Sequence, residues 1–515
     1  MRSMLLFVLI CGVAGTIAAE AQPSGSCADL TKLRIDKVEI TSAVLVPTGP
    51  SDAKGFDSRP VYTGILPAHC RVDGVIDRRK GVDGVDYGIG FALALPENWN
   101  GDFMMQGGGG SNGIIQPPIG AFYAGETPAL VRGFAVASTD TGHKAKTGAF
   151  DFSFRRDQQA YLDFAFLANA EVAGVVKQII ARYYSKPAAY SYFAGCSTGG
   201  REGMILSQRF PTLFNGIVSG DPAMRTGFSN LAIGQWIPIA YNQAAPKDAS
   251  GKPEIDQLFA DSDRKLFVDA LLKQCDAKDG LEDGMIFDPM DCHFDPEVLA
   301  CKGGESASCI APEKIAAIEK AFAGPKDPDG NQIYPGFPYD TGITSKAGIP
   351  GLLAPSSHGI FGPYTTAMKL DVDKAALSAS DPLVDSTDTN LSTFSANGGK
   401  LIFFHGLSDP WFSPLDTLDY YKSLAQTNGG TEKVAQFSQI YLVPGMSHCG
   451  GGPSLDQFDM LGAVVDWVEK GITPKSVIAT GKAFPGRSRP LCPYPQHAQY
   501  KGSGNAEDAS NFECR

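Results

Sequence analysis

The sequence predicts an α/β fold: a mostly parallel sheet flanked by helices and interrupted by a large insertion. Three observations carry that expectation. Strand-like and helix-like segments alternate from about Ser26 to Asp221, and the same alternation returns from Leu401. The stretch between, about Met224 to Ala396, is rich in Pro, Gly, Ser and Asp, has only short helical runs and holds four of the cysteines.

Each element has a local reason. Tyr87–Leu95 reads as a strand that stops at Pro96, and Phe103–Gln106 as a short apolar strand running into Gly107-Gly108-Gly109-Gly110. Gly133–Thr139 is a further buried strand, and Asp157 to Tyr184 has the period of a long amphipathic helix. Ala189–Ala194 is a strand entering a glycine-rich turn, followed by a helix over Arg201–Arg209 that ends before Pro211. Beyond the insertion come strand Leu401–Phe404, a helix from Ser413, strand Gln439–Val443 and helix Leu455–Lys470.

Bulk composition excludes some functions. Hydrophobic content of 43% and charged content of 19% describe a globular chain, not a disordered one. A formal charge of −12 argues against nucleic acid or an anionic membrane surface as partner. At the N-terminus, Arg2 precedes the apolar run Met4 to Ile10, and Ala19-Glu20-Ala21 offers a small-x-small cleavage site, so residues 1–21 read as a signal peptide. That run is too short to span a membrane, and no later segment is expected to reach the ~18 apolar residues a span requires. Cleavage removes Cys11 and leaves ten cysteines, an even count that suits five disulfides in a secreted or periplasmic protein. Short spacings favour Cys275–Cys292, Cys301–Cys309 and Cys492–Cys514.

The chemistry concentrates at strand ends. Gly195-Cys196-Ser197-Thr198-Gly199 fits G-x-S-x-G between a strand and a helix, the placement of a nucleophile elbow in an α/β-hydrolase core. A serine hydroxyl is a weak nucleophile and needs a base beside it. His448 follows the last core strand; His405 and His143 are rivals near other strand ends. The chain order serine, acid, histidine selects His448, and it selects Asp409, in the loop after Leu401–Phe404, as the acid. Asp416 and Asp419 are rival acids, but they fall in the first turns of a helix, where a carboxylate complements the dipole. Cys196 precedes the serine and Cys449 follows the histidine; a bond between them would hold Ser197 and His448 together. For the oxyanion, Thr198 supplies one backbone N–H and the Gly107–Gly110 loop the other, with Gly110 the chosen donor. In the insertion, Asp276, Asp279 and Asp283, with the carbonyls of Leu281 and Met285, make a hard-oxygen set suited to Ca²⁺, its rival being a solvated acidic turn.

The run Gly195-Cys196-Ser197-Thr198-Gly199-Gly200-Arg201-Glu202-Gly203, with Ser408-Asp409 and Gly445-Met446-Ser447-His448-Cys449, resembles the tannase/feruloyl esterase family. The likeness extends to Glu97-Asn98-Trp99-Asn100-Gly101 and Arg489-Pro490-Leu491-Cys492-Pro493-Tyr494-Pro495. It implies Ser197, Asp409 and His448 as triad, Gly110 and Thr198 as oxyanion donors, and Asp276, Asp279, Leu281, Asp283 and Met285 as a lid calcium site. It also implies bridges Cys196–Cys449 and Cys27–Cys70 beside the three short ones. Trp411 and Phe412 fall where members line an aromatic acyl pocket, and a flat phenolic ring prefers such walls.

The expected organisation is a signal peptide (1–21), a catalytic domain (22–223 and 397–515) and a lid with the calcium loop (224–396). The expected activity is hydrolysis of a small-molecule aromatic ester by a monomer or homodimer, of feruloyl type. Galloyl esters and mono(2-hydroxyethyl) terephthalate-type half-esters are the alternatives. Members that cleave terephthalate half-esters hold the free carboxylate with a lid arginine, and Thr341–Asp381 contains none. A calcium-stabilised binding protein on a disused hydrolase scaffold, or a serine peptidase, are the rivals from other classes.

Overall fold

A computed structural model describes residues 25–515 other than 56–59, 122, 304–307, 347–348, 357, 360–361 and 364; the expected signal peptide lies outside the described residues. Nine strands form one sheet: β1 (Val38–Val46), β2 (His69–Lys80), β3 (Asp86–Pro96), β4 (Phe103–Gln106), β5 (Ala135–Thr139), β6 (Ser191–Cys196), β7 (Gly216–Gly220), β8 (Lys400–Gly406) and β9 (Ser438–Val443). Their order is β1-β2-β3-β5-β4-β6-β7-β8-β9. Pairing is antiparallel from β1 through β3 to β5 and parallel from β5 to β9. The parallel strands are buried on both faces and read as largely apolar runs, whereas edge strand β1 has no fully buried residue.

Helices cover both faces. On one, α1 (Ala168–Tyr184) and α2 (Thr198–Arg209) pack Val172, Val176, Ile179 and Met204 against Phe91, Phe103 and Phe193. The helical run that contains α1, Gln158–Tyr184, is long and apolar enough to cross a membrane by composition alone, but its apolar face is core. A five-residue π turn over Asp163–Leu167 interrupts it. The insertion follows β7, with α3 (Ile237–Ala244), α4 (Asp261–Cys275) and α5 (Pro312–Phe322) packed around Tyr241, Phe267, Leu271, Ile315 and Ile318. That cluster is separate from the sheet's, and each fully buried Leu, Ile or Phe in it contributes roughly 1.5–3 kcal/mol. The chain then returns to the sheet with α6 (Pro414–Thr427) on the α1 face and α7 (Met460–Lys470) on the other.

Strand ends fall within about two residues of expectation, and two helix starts differ by more. Helix α2 begins at Thr198, not Arg201, because the elbow turns straight into it. Helix α7 begins at Met460, not Leu455: Gln457–Phe458 pairs with Thr480 and Ala479, and the Asp459 carboxylate caps the helix by accepting from Gly462 N–H at 2.7 Å.

Candidate active site

Strand β6 ends at Cys196, α2 begins at Thr198, and Ser197 alone makes the turn between them, at φ 62° and ψ −124°. Such a conformation is strained for a residue with a side chain and persists only where the surroundings over-determine it. Here Ser197 N–H donates to Gly220 O at 3.0 Å, and its own carbonyl accepts from Arg201 and Ala223, each at 3.0 Å. Glycine is required on both sides: a Cβ on Gly195 would approach the Gly199 carbonyl carbon to 2.7 Å, and one on Gly200 would approach Gly220 O to 2.3 Å.

Loops after β8 and β9 bring Asp409 and His448 together. The imidazole Nδ1–H donates to Asp409 Oδ2 at 2.7 Å, while Asp409 Oδ1 accepts from the backbone N–H of Trp411 at 2.7 Å and Phe412 at 3.1 Å. Burial alone pushes the Asp409 carboxyl up, but the charge and hydrogen bonds of His448 and His405 outweigh it and hold the group below the usual carboxylate range. Burial likewise opposes the imidazolium of His448, and Asp409 reverses this, leaving His448 above its ordinary value. A disulfide joins Cys196 to Cys449 with Cα atoms 6.0 Å apart, so the residues flanking Ser197 and His448 are covalently fixed side by side.

The rival residues are otherwise occupied. Asp416 forms an ion pair with Arg225, and Asp419 pairs with Lys422 at 3.6 Å. His143 stacks on Phe154 at 3.7 Å. His405 lies on the far side of Asp409: its Nε2 is 3.3 Å from the same Oδ2 that His448 uses and 3.0 Å from Phe412 O, and its Nδ1 is 2.9 Å from Thr417 Oγ1.

Three buried carboxylates that sequence reasoning missed brace the loops. Asp221 accepts from Gly406 N–H and Cys449 N–H, each at 2.7 Å, and burial pushes its carboxyl up to about 6. Its position directly after β7 was the available signal, since loops at that end of the sheet carry the other functional groups. Glu202 on α2 accepts from Gly108 N–H at 3.1 Å and from Asn112 Nδ2–H at 2.5 Å, tying the glycine loop to the helix of the elbow. Asp340, in the insertion, accepts from Ser408 Oγ–H and Gly445 N–H, both at 2.7 Å, and so spans the acid and histidine loops. Nothing in the local sequence marks either partner set.

Gly107–Gly110 follows β4, as expected for a loop facing the elbow. Gly110 sits at φ +60°, and a Cβ there would meet Ala149 O at 2.1 Å. The Thr198 hydroxyl donates to Gly110 O, which fixes the two residues against each other. Trp411 and Phe412 stack in parallel at 5.5 Å and 8°, and their centroids lie 5.4 and 5.3 Å from that of His448.

The acidic loop of the insertion lies apart, bracketed by Cys275–Cys292. Asp276 Oδ2 accepts from Gly284 N–H at 2.9 Å, while its Oδ1 is buried with no hydrogen-bond partner. Burial, with the charges of Asp283 and Asp276, pushes the Asp279 carboxyl up to about 7. Asp283 faces Arg489 and, at 3.4 Å, Arg487. An orphaned carboxylate oxygen beside a second crowded carboxyl fits a hard cation. Among the described residues, however, the convergent acidic, histidine and cysteine sets within 4.8 Å are Asp221–His405–Asp409 and Cys196–Asp221–Cys449, not these three aspartates. Any cation here would therefore draw on backbone carbonyls as well.

A mixed sheet that is parallel across its centre, with a strained Ser at a strand-to-helix turn and an Asp–His pair on later strand ends, defines an α/β-hydrolase fold. The chain belongs to the tannase and feruloyl esterase family, whose profile matches residues 70–368 and 361–515. A mono(2-hydroxyethyl) terephthalate hydrolase from Piscinibacter sakaiensis is 38% identical, over 87% of this chain and 85% of that protein. A probable feruloyl esterase B-2 from Neosartorya fischeri is 30% identical over 86% of each. The solved feruloyl esterase B from Aspergillus oryzae superposes with a TM-score of 0.76 at 26% identity, covering 95% of this chain and 100% of that one. All ten cysteines after Cys11 form the five expected pairs, including Cys27–Cys70.

Proposed function

We propose that this protein is an exported serine carboxylesterase that hydrolyses esters of aromatic acids, of feruloyl type. The observation that carries the mechanism is the 2.7 Å Asp409–His448 hydrogen bond, held by a disulfide beside the residue on the elbow. Ser197 Oγ attacks the ester carbonyl carbon while His448 Nε2 takes its proton. Asp409 fixes the Nδ1–H tautomer and stabilises the imidazolium. The oxyanion forms against the backbone N–H groups of Thr198 and Gly110. The carbon–alkoxy bond then breaks, the imidazolium proton passes to the leaving alcohol, and a water deprotonated by His448 releases the acid from Ser197.

The acyl preference is supported by the family and by the Trp411–Phe412 stack beside the base. Galloyl esters and terephthalate half-esters form the second reading, motivated by the similarity to the Piscinibacter enzyme. The missing arginine in Thr341–Asp381 weighs against the half-ester. Five disulfides support an oxidising compartment outside the cytoplasm. The aspartates 276, 279 and 283, with the carbonyls of Leu281 and Met285, would hold a structural Ca²⁺, which supplies charge compensation and no part of the chemistry.

The test compares kcat/KM for methyl ferulate, methyl gallate, chlorogenate and a terephthalate half-ester in the parent and in Ser197→Ala. The variant is expected to lose on the order of 10³-fold or more in turnover. Parental rates in Ser197→Ala would overturn the mechanism. A burst of product from a chromogenic ester would exclude the binding-protein reading, and an unmutated protein that releases no product from any ester would return it.

A further inference from the structure

Phe150 is an apolar ring 39% exposed, on a loop far in sequence from the residues so far assigned to the pocket. A single exposed apolar side chain is ordinary; this one is held in place. On its N-terminal side, Ala149 O accepts from Ser111 N–H at 2.7 Å and Ser111 Oγ–H at 3.1 Å. On its C-terminal side, Asp151 O accepts from Ser111 Oγ–H at 3.0 Å, and the Asp151 carboxylate accepts from Lys146 N–H at 2.6 Å and Ser153 N–H at 2.9 Å. Both neighbours of Phe150 are thus bonded to Ser111, the residue after Gly110. The ring so fixed lies 5.5 Å from Trp411, at 44°. Since Trp411 is also 5.4 Å from His448, Phe150 and the base border the same indole ring, and Phe150 is partly open to solvent.

We propose that Phe150 is a specificity-determining residue, the outer wall of the acyl pocket, which selects hydroxycinnamoyl over benzoyl-type acyl groups by their length. The proposal rests on the esterase reading above. With the carbonyl carbon at Ser197, a galloyl ring is attached directly to that carbon and stays beside Trp411 and Phe412. A hydroxycinnamoyl ring sits one vinylene unit farther out, where Phe150 meets Trp411. The core thereby contributes to substrate choice through the loop that also braces the proposed oxyanion donor, in addition to anything the insertion supplies.

The experiment measures kcat and KM for methyl ferulate, methyl gallate and methyl butyrate with the parent, Phe150→Ala and Phe150→Tyr. Loss of one aromatic contact corresponds to roughly threefold to tenfold in affinity. For Phe150→Ala, methyl ferulate is expected to show that rise in KM with kcat near parental, gallate and butyrate to move less than about twofold, and Phe150→Tyr to restore the parental KM. An unchanged KM for ferulate overturns the proposal. So does an equal loss on all three esters, which would show that the loop acts through Gly110 alone. Failure of the parent reading shows differently: the unmutated protein would then prefer butyrate to both aromatic esters, and the proposal would fall with it.

Discussion

The central carboxylates of the sheet-borne part and the acidic loop of the insertion between β7 and β8 hold their oxygens in opposite ways. In the first, every carboxylate oxygen of the central pair is bonded: Asp409 meets two backbone N–H groups and two imidazoles, and Asp221 meets two further N–H groups. The strands beneath are buried on both faces. In the insertion, helices α3 to α5 close their own small core, two disulfides span only 17 and 8 residues, and three aspartates crowd one loop with one buried oxygen unpartnered. Trp411 and Phe412 follow Asp409 in the sheet-borne part, yet their rings pack into the insertion's core. The difference separates two tasks: fixing the Asp409–His448 pair needs central carboxylates bonded at every oxygen, with some of the bracing coming from Asp340 of the insertion, whereas an acidic loop away from the pair tolerates an unpartnered oxygen.

The sharpest way to break this contrast is to change one atom in the bonded frame. Asp409→Asn keeps an acceptor for the Trp411 and Phe412 N–H groups but presents an amide to His448 Nδ1, favouring the wrong tautomer. Turnover is expected to fall on the order of 10⁴-fold. In the parent, the base must be neutral and its pKa is raised, so activity rises with pH through a midpoint above the ordinary histidine value. A parental rate in Asp409→Asn would show that another group serves as acid, and an acid limb with its midpoint below the ordinary histidine value would show that Asp409 does not hold the imidazolium.

Disulfides offer the same contrast in stability. Cys196–Cys449 closes 253 residues and Cys301–Cys309 only 8. In the chain-entropy account, the first constrains the unfolded chain by about 5 kcal/mol and the second by about 2.5 kcal/mol. Replacing Cys196 and Cys449 together with serine is therefore expected to lower the denaturant midpoint about twice as much as replacing Cys301 and Cys309, and to reduce turnover as well. Equal shifts would mean that the unfolded chain retains structure across the long loop.

The same division governs what the sequence reveals. Ser197, Asp409 and His448 were legible because each sits at a strand end, where a local pattern and chain order suffice. Their supports were not. Glu202 and Asp340 work through partners 94 and 105 residues away, and His405, legible as a strand-end histidine, turns out to face the acid from behind. Strand β1 escaped because an edge strand half exposed on both faces has no clean period. The start of α7 was misplaced because Gln457–Phe458 takes its strand from pairing with residues 479–480. Long-range partnership is the information a local pattern lacks.

The smallest expected effect tests the insertion's loop. Burial pushes the Asp279 carboxyl up to about 7 in the folded chain, against about 3.9 when unfolded. A carboxyl with a raised folded value favours the folded state while protonated, and that contribution is lost as pH rises from about 4 through about 7. In chelator, the melting temperature should therefore decline across this window, by roughly 5 °C. Calcium requires the ionised carboxylates, so its stabilising effect should grow as pH rises and should cancel the decline. Asp276→Asn is expected to abolish the calcium response, while Asp409→Asn, inactive but intact in the insertion, retains it. Identical melting curves in calcium and chelator at pH 8 would remove the metal from the loop and leave Arg487 and Arg489 as the counter-charges of Asp283.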